Sequence, residues 1–193
     1  MTPETPVVTL VADDGSRLRQ YASWLDGACE VRTARDGSGA LDAVDRGTDV
    51  VVLVRPSALR DGDALAALRE RGEDLKVVLV RERDADLAAL DRAPDEVLAA
   101  PVTREALRRA VAVLAAERAY ARGIGDLFSL ATERAAREAD PPAGGGDGDL
   151  DERIAALRDR LDATLDTLVE EAGFEAVYRA LADPPADGSD REE

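Results

Sequence analysis

Asp49-Val50-Val51-Val52-Leu53-Val54 is the stretch that decides the fold. After Asp49 it is a run of apolar, mostly β-branched residues with no polar alternation, so it has no face to give to water. A strand apolar on both sides belongs at the centre of a parallel sheet. Working outward, Val7 to Ala12 is a second such run and Val77-Val78-Leu79-Val80 a third. Shorter strands are expected at Glu30 to Thr33, with Cys29 at its start, and at Val97-Leu98-Ala99 before Pro101. Between them the apolar spacing turns helical: Leu18, Tyr21, Ala22 and Leu25; Ala40, Leu41 and Val44, closed by Gly47; Leu65 and Leu68; and, more weakly, Leu87 and Leu90. Ser38 and Thr103 stand where helix caps are needed, the latter before a helix carrying Leu107, Val111 and Leu114. Strand and helix alternate across residues 7–118. This pattern predicts an α/β domain, a doubly wound five-stranded parallel sheet with helices on both faces.

The last helix does not stop with that domain. Its stripe passes to Val113, Tyr120, Ile124, Leu127 and Ala131 and runs to about Glu138, with Gly123 and Gly125 as weak points where a bend can form. A Pro- and Gly-rich breaker makes a loop over 140–149. A second amphipathic helix carries Leu150, Ile154, Leu157, Leu161, Leu165 and Leu168; Gly173 ends it, and Phe174, Val177, Tyr178 and Leu181 form a short capping helix. Neither long helix can bury its stripe alone, so residues 119–182 are expected to form an antiparallel, coiled-coil-like hairpin. The leucine stripe from Leu150 to Leu168 reads first as hairpin core; a two-helix hairpin still leaves one side uncovered, and Tyr120, Ile124, Leu127, Leu157, Leu161 and Leu165 are the expected interaction surface. Residues 183–193 read as a disordered tail.

Composition narrows the chemistry. Among 193 residues there are 41 Asp and Glu against 25 Lys and Arg, a formal net charge of -16. Such a balance argues against a surface that tracks nucleic-acid phosphates, which needs clustered cations. The chain has no histidine and a single cysteine, Cys29. That removes His-based nucleophilic triads, His-ligated zinc and haem, internal disulfides and paired-thiol redox sites. Cys29 itself reads as a small apolar filler, and Trp24 as a packing residue. Lys76 is the only lysine. A dense carboxylate surface with arginine as the cation suits concentrated salt, where the Debye length falls to about 3 Å at 1 M; a salt-loving host is the expectation. No apolar run approaches membrane-spanning length and Met1 to Pro6 carries no signal core, so a cytoplasmic chain is expected.

The residues then resemble a known family. Val8-Thr9-Leu10-Val11-Ala12-Asp13-Asp14-Gly15, Tyr21-Ala22-Ser23-Trp24-Leu25 and Glu30-Val31-Arg32-Thr33-Ala34-Arg35-Asp36-Gly37 resemble the receiver domain of two-component response regulators, in its haloarchaeal version. The helical hairpin resembles the HalX domain that follows receivers in haloarchaea. The resemblance implies a phosphorelay module whose acidic pair falls on Ala12 and Asp13, with Asp14 on the following Glu. Its phosphoacceptor falls on Val54, its strand-four hydroxyl on Arg81, its lysine on Ala100 and its switch aromatic on Val97; Gly62-Asp63 keeps the register. Most of that chemistry is absent. Magnesium needs converging hard oxygen ligands, the nucleophile must be a carboxylate, and a lysine must neutralise the developing charge. Val54 offers no oxygen, Ala12 no metal-orienting carboxylate and Ala100 no ammonium.

Ala12, Asp13, Asp14, Val54, Arg81 and Ala100 therefore read as a degenerate phosphorylation pocket with no phosphoacceptor, no metal and no cofactor. Arg81 is expected to reach Asp13 or Asp14 as a counter-charge in place of the metal; the plainer alternative points it at solvent. The function expected is a non-enzymatic regulatory module acting through protein contacts of its hairpin, toward a partner the sequence does not identify. A homodimer through the hairpin is one form this could take. The alternative is a transcription-associated regulator whose hairpin contacts DNA or the transcription machinery. Arg118, Arg122, Arg134, Arg137, Arg153, Arg158 and Arg160 lie on the hairpin, but acids interleave with them, so direct nucleic-acid binding is the minority reading.

Overall fold

The computed structural model describes residues 5–54, 63–72, 74–81, 93–139 and 147–172. In chain order the elements are β1 (Val7–Ala12), α1 (Gly15–Leu25), β2 (Glu30–Ala34), α2 (Gly37–Ala43), β3 (Val50–Val54), α3 (Asp63–Arg71), β4 (Lys76–Arg81), β5 (Glu96–Ala99), α4 (Arg104–Ala139) and α5 (Asp147–Ala172). Among the described residues five strands form one parallel sheet in the order β2-β1-β3-β4-β5. Val50–Val54 is the middle strand, buried over its whole length.

Strand periodicity sorts the core into two layers. Val50, Val52 and Val54 face one side with Val8, Leu10, Val78 and Val80, where α1 and α4 supply Leu18, Tyr21, Leu25, Leu107, Val111 and Leu114. Val51 and Leu53 face the other side with Val11, Val77 and Leu79, against Ala40, Val44 and Leu68. Burying each such aliphatic side chain is worth about 1.5–3 kcal/mol, which is why a strand without a polar face settles in the middle. Trp24 and Cys29 pack against the first layer, and the Trp24 ring lies 5.0 Å from that of Tyr21. Burial raises the Cys29 thiol above its ordinary value.

Helix starts follow local hydrogen bonding. Thr103 caps α4, its Oγ1 accepting from the Ala106 amide at 3.2 Å. At α2 the cap is Asp36 and not Ser38: the Asp36 carboxylate accepts from the Gly39 amide at 2.8 Å and from the Ser38 hydroxyl at 2.9 Å. A carboxylate two residues earlier outcompetes the hydroxyl for the orphan amide.

The chain divides into two compact units, Met1–Arg118 and Ala119–Glu193, and α4 is one helix running through the division. In the second unit, Arg134 meets Asp151 at 3.2 Å, and a Cβ on Gly123 would stand 2.7 Å from Leu161 Cδ2. Later residues of α4 meet earlier residues of α5, so the two run antiparallel. α5 already begins at Asp147, inside the expected loop. The expected helix over Leu87 and Leu90, the capping helix at Phe174–Leu181 and the tail lie outside the described residues.

Candidate functional site

The site is built at the carboxyl ends of the strands, where open α/β sheets place ligands. Parallel pairing sets Ala12 beside Val54, Val54 beside Val80, and Arg81 beside Ala99. Ala100 follows directly, its amide donating to the Arg81 carbonyl at 2.7 Å, and the Ala100–Pro101 peptide is cis. Ala12, Val54, Arg81 and Ala100 therefore share one edge of the sheet, with Asp13 and Asp14 continuing β1. Ala12 and Val54 are buried in the first core layer, Arg81 is half-buried and Asp13 exposed. Val97 is half-buried in β5. Gly62 and the Asp63 side chain lie outside the described residues.

Asp14 has a structural occupation that the sequence reading missed. Its carboxylate is the N-cap of α1, accepting from the Ser16 amide at 2.8 Å, the Ser16 hydroxyl at 2.6 Å and the Arg17 amide at 3.4 Å. Arg17 Nε lies 3.6 Å from its other oxygen. The Ser16 hydroxyl and then the Ser16 amide hold the Asp14 carboxyl below its ordinary value. An acid immediately ahead of Gly15-Ser16 was the available signal for a cap. Of the two acids offered as partners for Arg81, Asp14 is thus engaged by its own helix and by Arg17. No group of three or more His, Cys, Asp or Glu side chains among the described residues is placed to hold a metal ion.

In the second unit the residues of the expected interaction surface differ in burial. Tyr120, Leu157 and Leu161 are buried, while Ile124, Leu127 and Leu165 are half-buried. Helical spacing identifies the apolar stripe, and part of it is buried where α4 and α5 meet, with Leu157 and Leu161 beside Gly123. The large hydrophobic side chains that do face outward among the described residues are Phe128, 75% exposed, and Val169. The hairpin arginines are largely drawn into pairs: Arg134 with Glu138 and Asp151, Arg137 and Arg153 with Glu133. Arg118 turns inward and is 4% exposed.

No family model matches the chain. A Haloferax volcanii protein described as a candidate transcriptional regulator is 33% identical over 133 residues, covering 67% of this chain and 23% of the relative. This chain therefore spans about a quarter of that protein's length. Among solved structures, NtrX of Brucella abortus, crystallised with ATP, superposes with a TM-score of 0.57 at 22% identity, covering 64% of this chain and 29% of that one. A CheY-like receiver domain of Methanospirillum hungatei JF-1 gives 0.52 at 18% identity over 60% of this chain and 97% of its own. The fold is the receiver fold. Within it, the edge that carries Ala12, Val54, Arg81 and Ala100 is the carboxyl edge of the receiver sheet, followed in this chain by a C-terminal helical region.

Proposed function

We propose that the protein is a non-enzymatic module of the two-component response-regulator type, a receiver that is not phosphorylated and that works through protein contacts of a HalX-like hairpin. The observation that carries this reading is Val54, which ends the central strand in register with Ala12. A phosphoryl group needs an oxygen nucleophile there, and an isopropyl side chain has none. Ala12 and Ala100 add to the argument, one lacking a carboxylate for magnesium and the other an ammonium for the developing charge. Arg81, on the same carboxyl edge of the sheet as Asp13, supplies a counter-charge in place of the ion. Phe128 and the uncharged positions around it on α4 support an output by protein contact, either with another protein or with a second copy of this chain. The acid-rich, lysine-poor composition, with a relative in Haloferax volcanii, supports work in concentrated salt.

Magnesium titration tests the pocket. The expected result is no saturable binding. Saturable binding that Asp13→Asn abolishes would restore a working acidic pocket and overturn the reading. The description of the Haloferax volcanii relative favours a second reading, in which the hairpin serves transcription. Retention on DNA with a sequence preference that survives concentrated salt would select it.

A further inference from the structure

We propose that charged groups at the amino-terminal edge of the sheet, opposite the degenerate pocket, lock α4 onto β3 and β4 and leave the receiver a single-state holder. This rests on the reading above, in which α4 leads to the output and no phosphoryl group switches it. Two consecutive residues of α4 make the grip. Arg118 donates through Nη1 to the carbonyls of Thr48 and, at 3.3 Å, Asp49, and through Nη2 to that of Arg46 at 3.3 Å. Its Nε lies 3.8 Å from Asp49 Oδ1, while Asp49 Oδ2 accepts from the Val7 amide of β1 at 2.9 Å. Glu117, its side chain 2% exposed, meets Lys76 Nζ at 3.2 Å at the start of β4. Lys76 continues to Asp95 at 3.6 Å, and Asp95 takes Arg69 of α3 at 3.1 Å and the Val77 amide at 2.8 Å. The one lysine of the chain thus links Glu117 of α4 to Asp95 ahead of β5.

Neighbouring helical residues point about 100° apart, so Glu117 and Arg118 hold different strands. A slide or roll of α4 against the sheet would break both attachments at once. Arg69, Lys76 and Arg118 alternate with Asp49, Asp95 and Glu117, and all six side chains are at most 22% exposed. Pairs so withdrawn from water are screened far less than surface pairs, so the lock persists in concentrated salt. Removing one partner leaves the other charge buried and uncompensated, which is strongly destabilising locally.

Hydrogen exchange on the full chain tests this, with Lys76→Met, Arg118→Gln and Arg118→Lys beside the unaltered protein. Amides of residues 112–122 are expected to exchange on the order of tenfold faster in Lys76→Met and Arg118→Gln. Segments 7–12 and 50–54 should stay within about twofold, and Arg118→Lys should fall between. Should Arg118→Gln unfold the unit outright, Lys76→Met decides the matter. Unchanged exchange over 112–122 in Lys76→Met would overturn the lock. So would altered exchange over 112–122 in the unaltered protein on adding magnesium and acetyl phosphate, since a single-state unit does not respond. A covalent phosphoryl adduct without any change in exchange would instead refute the unphosphorylated reading and leave the lock standing.

Discussion

Gly123 and Gly125 look alike in the sequence, two helix-weakening residues on α4, yet their surroundings give them opposite roles. A Cβ on Gly123 would meet Leu161 at 2.7 Å, whereas one on Gly125 would meet nothing within 4 Å. Gly123→Ala is therefore expected to destabilise the hairpin by about 1–3 kcal/mol through overpacking, and a Leu161→Ala partner should relieve the clash. Gly125→Ala should stabilise it by up to about 1 kcal/mol. Thermal melts followed by circular dichroism check both. The acids Asp14, Asp36 and Asp45 make a second residue-scale case. Their carboxyls are held below the ordinary 3.8 chiefly by the Ser16 hydroxyl, the Gly39 amide and the Arg32 guanidinium respectively. A carboxyl depressed in the folded state contributes its stability above the unfolded value and loses it as pH falls through the folded one. Melting temperature should thus fall with acidification below about 3.8. In Asp14→Asn with Asp36→Asn, which keep a capping oxygen but do not titrate, that acid limb should flatten.

At the scale of elements, the hairpin separates core from surface. Leu157→Ala should cost about 2–5 kcal/mol, since its side chain is buried between the helices. Phe128→Ala should change stability by less than about 0.5 kcal/mol, because a ring so exposed gives up little burial. If Phe128 belongs to the output surface, the same substitution weakens partner capture or self-association while the melt stays put; analytical ultracentrifugation and capture assays read that separation. Much of the architecture was legible because β-branched runs without polar alternation have few places to go. β3 reads as central from its composition alone, and Thr103 announces the start of α4. The shortfalls share a cause. Periodicity says which face of a helix is apolar and leaves open what covers it: Tyr120, Leu157 and Leu161 belong to the apolar stripe and are buried, while Ile124, Leu127 and Leu165 on the same stripe are half-buried. Arg118 looked like one more hairpin cation, and its inward turn depends on carbonyls of Arg46 and Thr48 some seventy residues away. Asp14 drew attention as half of an acidic pair, while its cap role lay in the Gly15-Ser16 that follows it.

For the whole molecule, charge and the pocket set the behaviour. A net charge of -16 on 193 residues repels itself in dilute buffer, and screening removes that penalty. The melting temperature should rise with KCl and level off once the Debye length falls to a few ångströms. The surface pair Arg134–Glu138 should contribute nothing measurable there, since exposed pairs are worth about 0–1 kcal/mol even before screening. The strands, the register and the carboxyl edge are those of a receiver fold, and the proposed loss is confined to side chains at that edge. Intact-protein mass spectrometry after incubation with magnesium and acetyl phosphate in concentrated KCl tests that loss most directly. The unmodified mass alone is predicted. A stable adduct of one phosphoryl group, released by hydroxylamine as an acyl phosphate is, would contradict it.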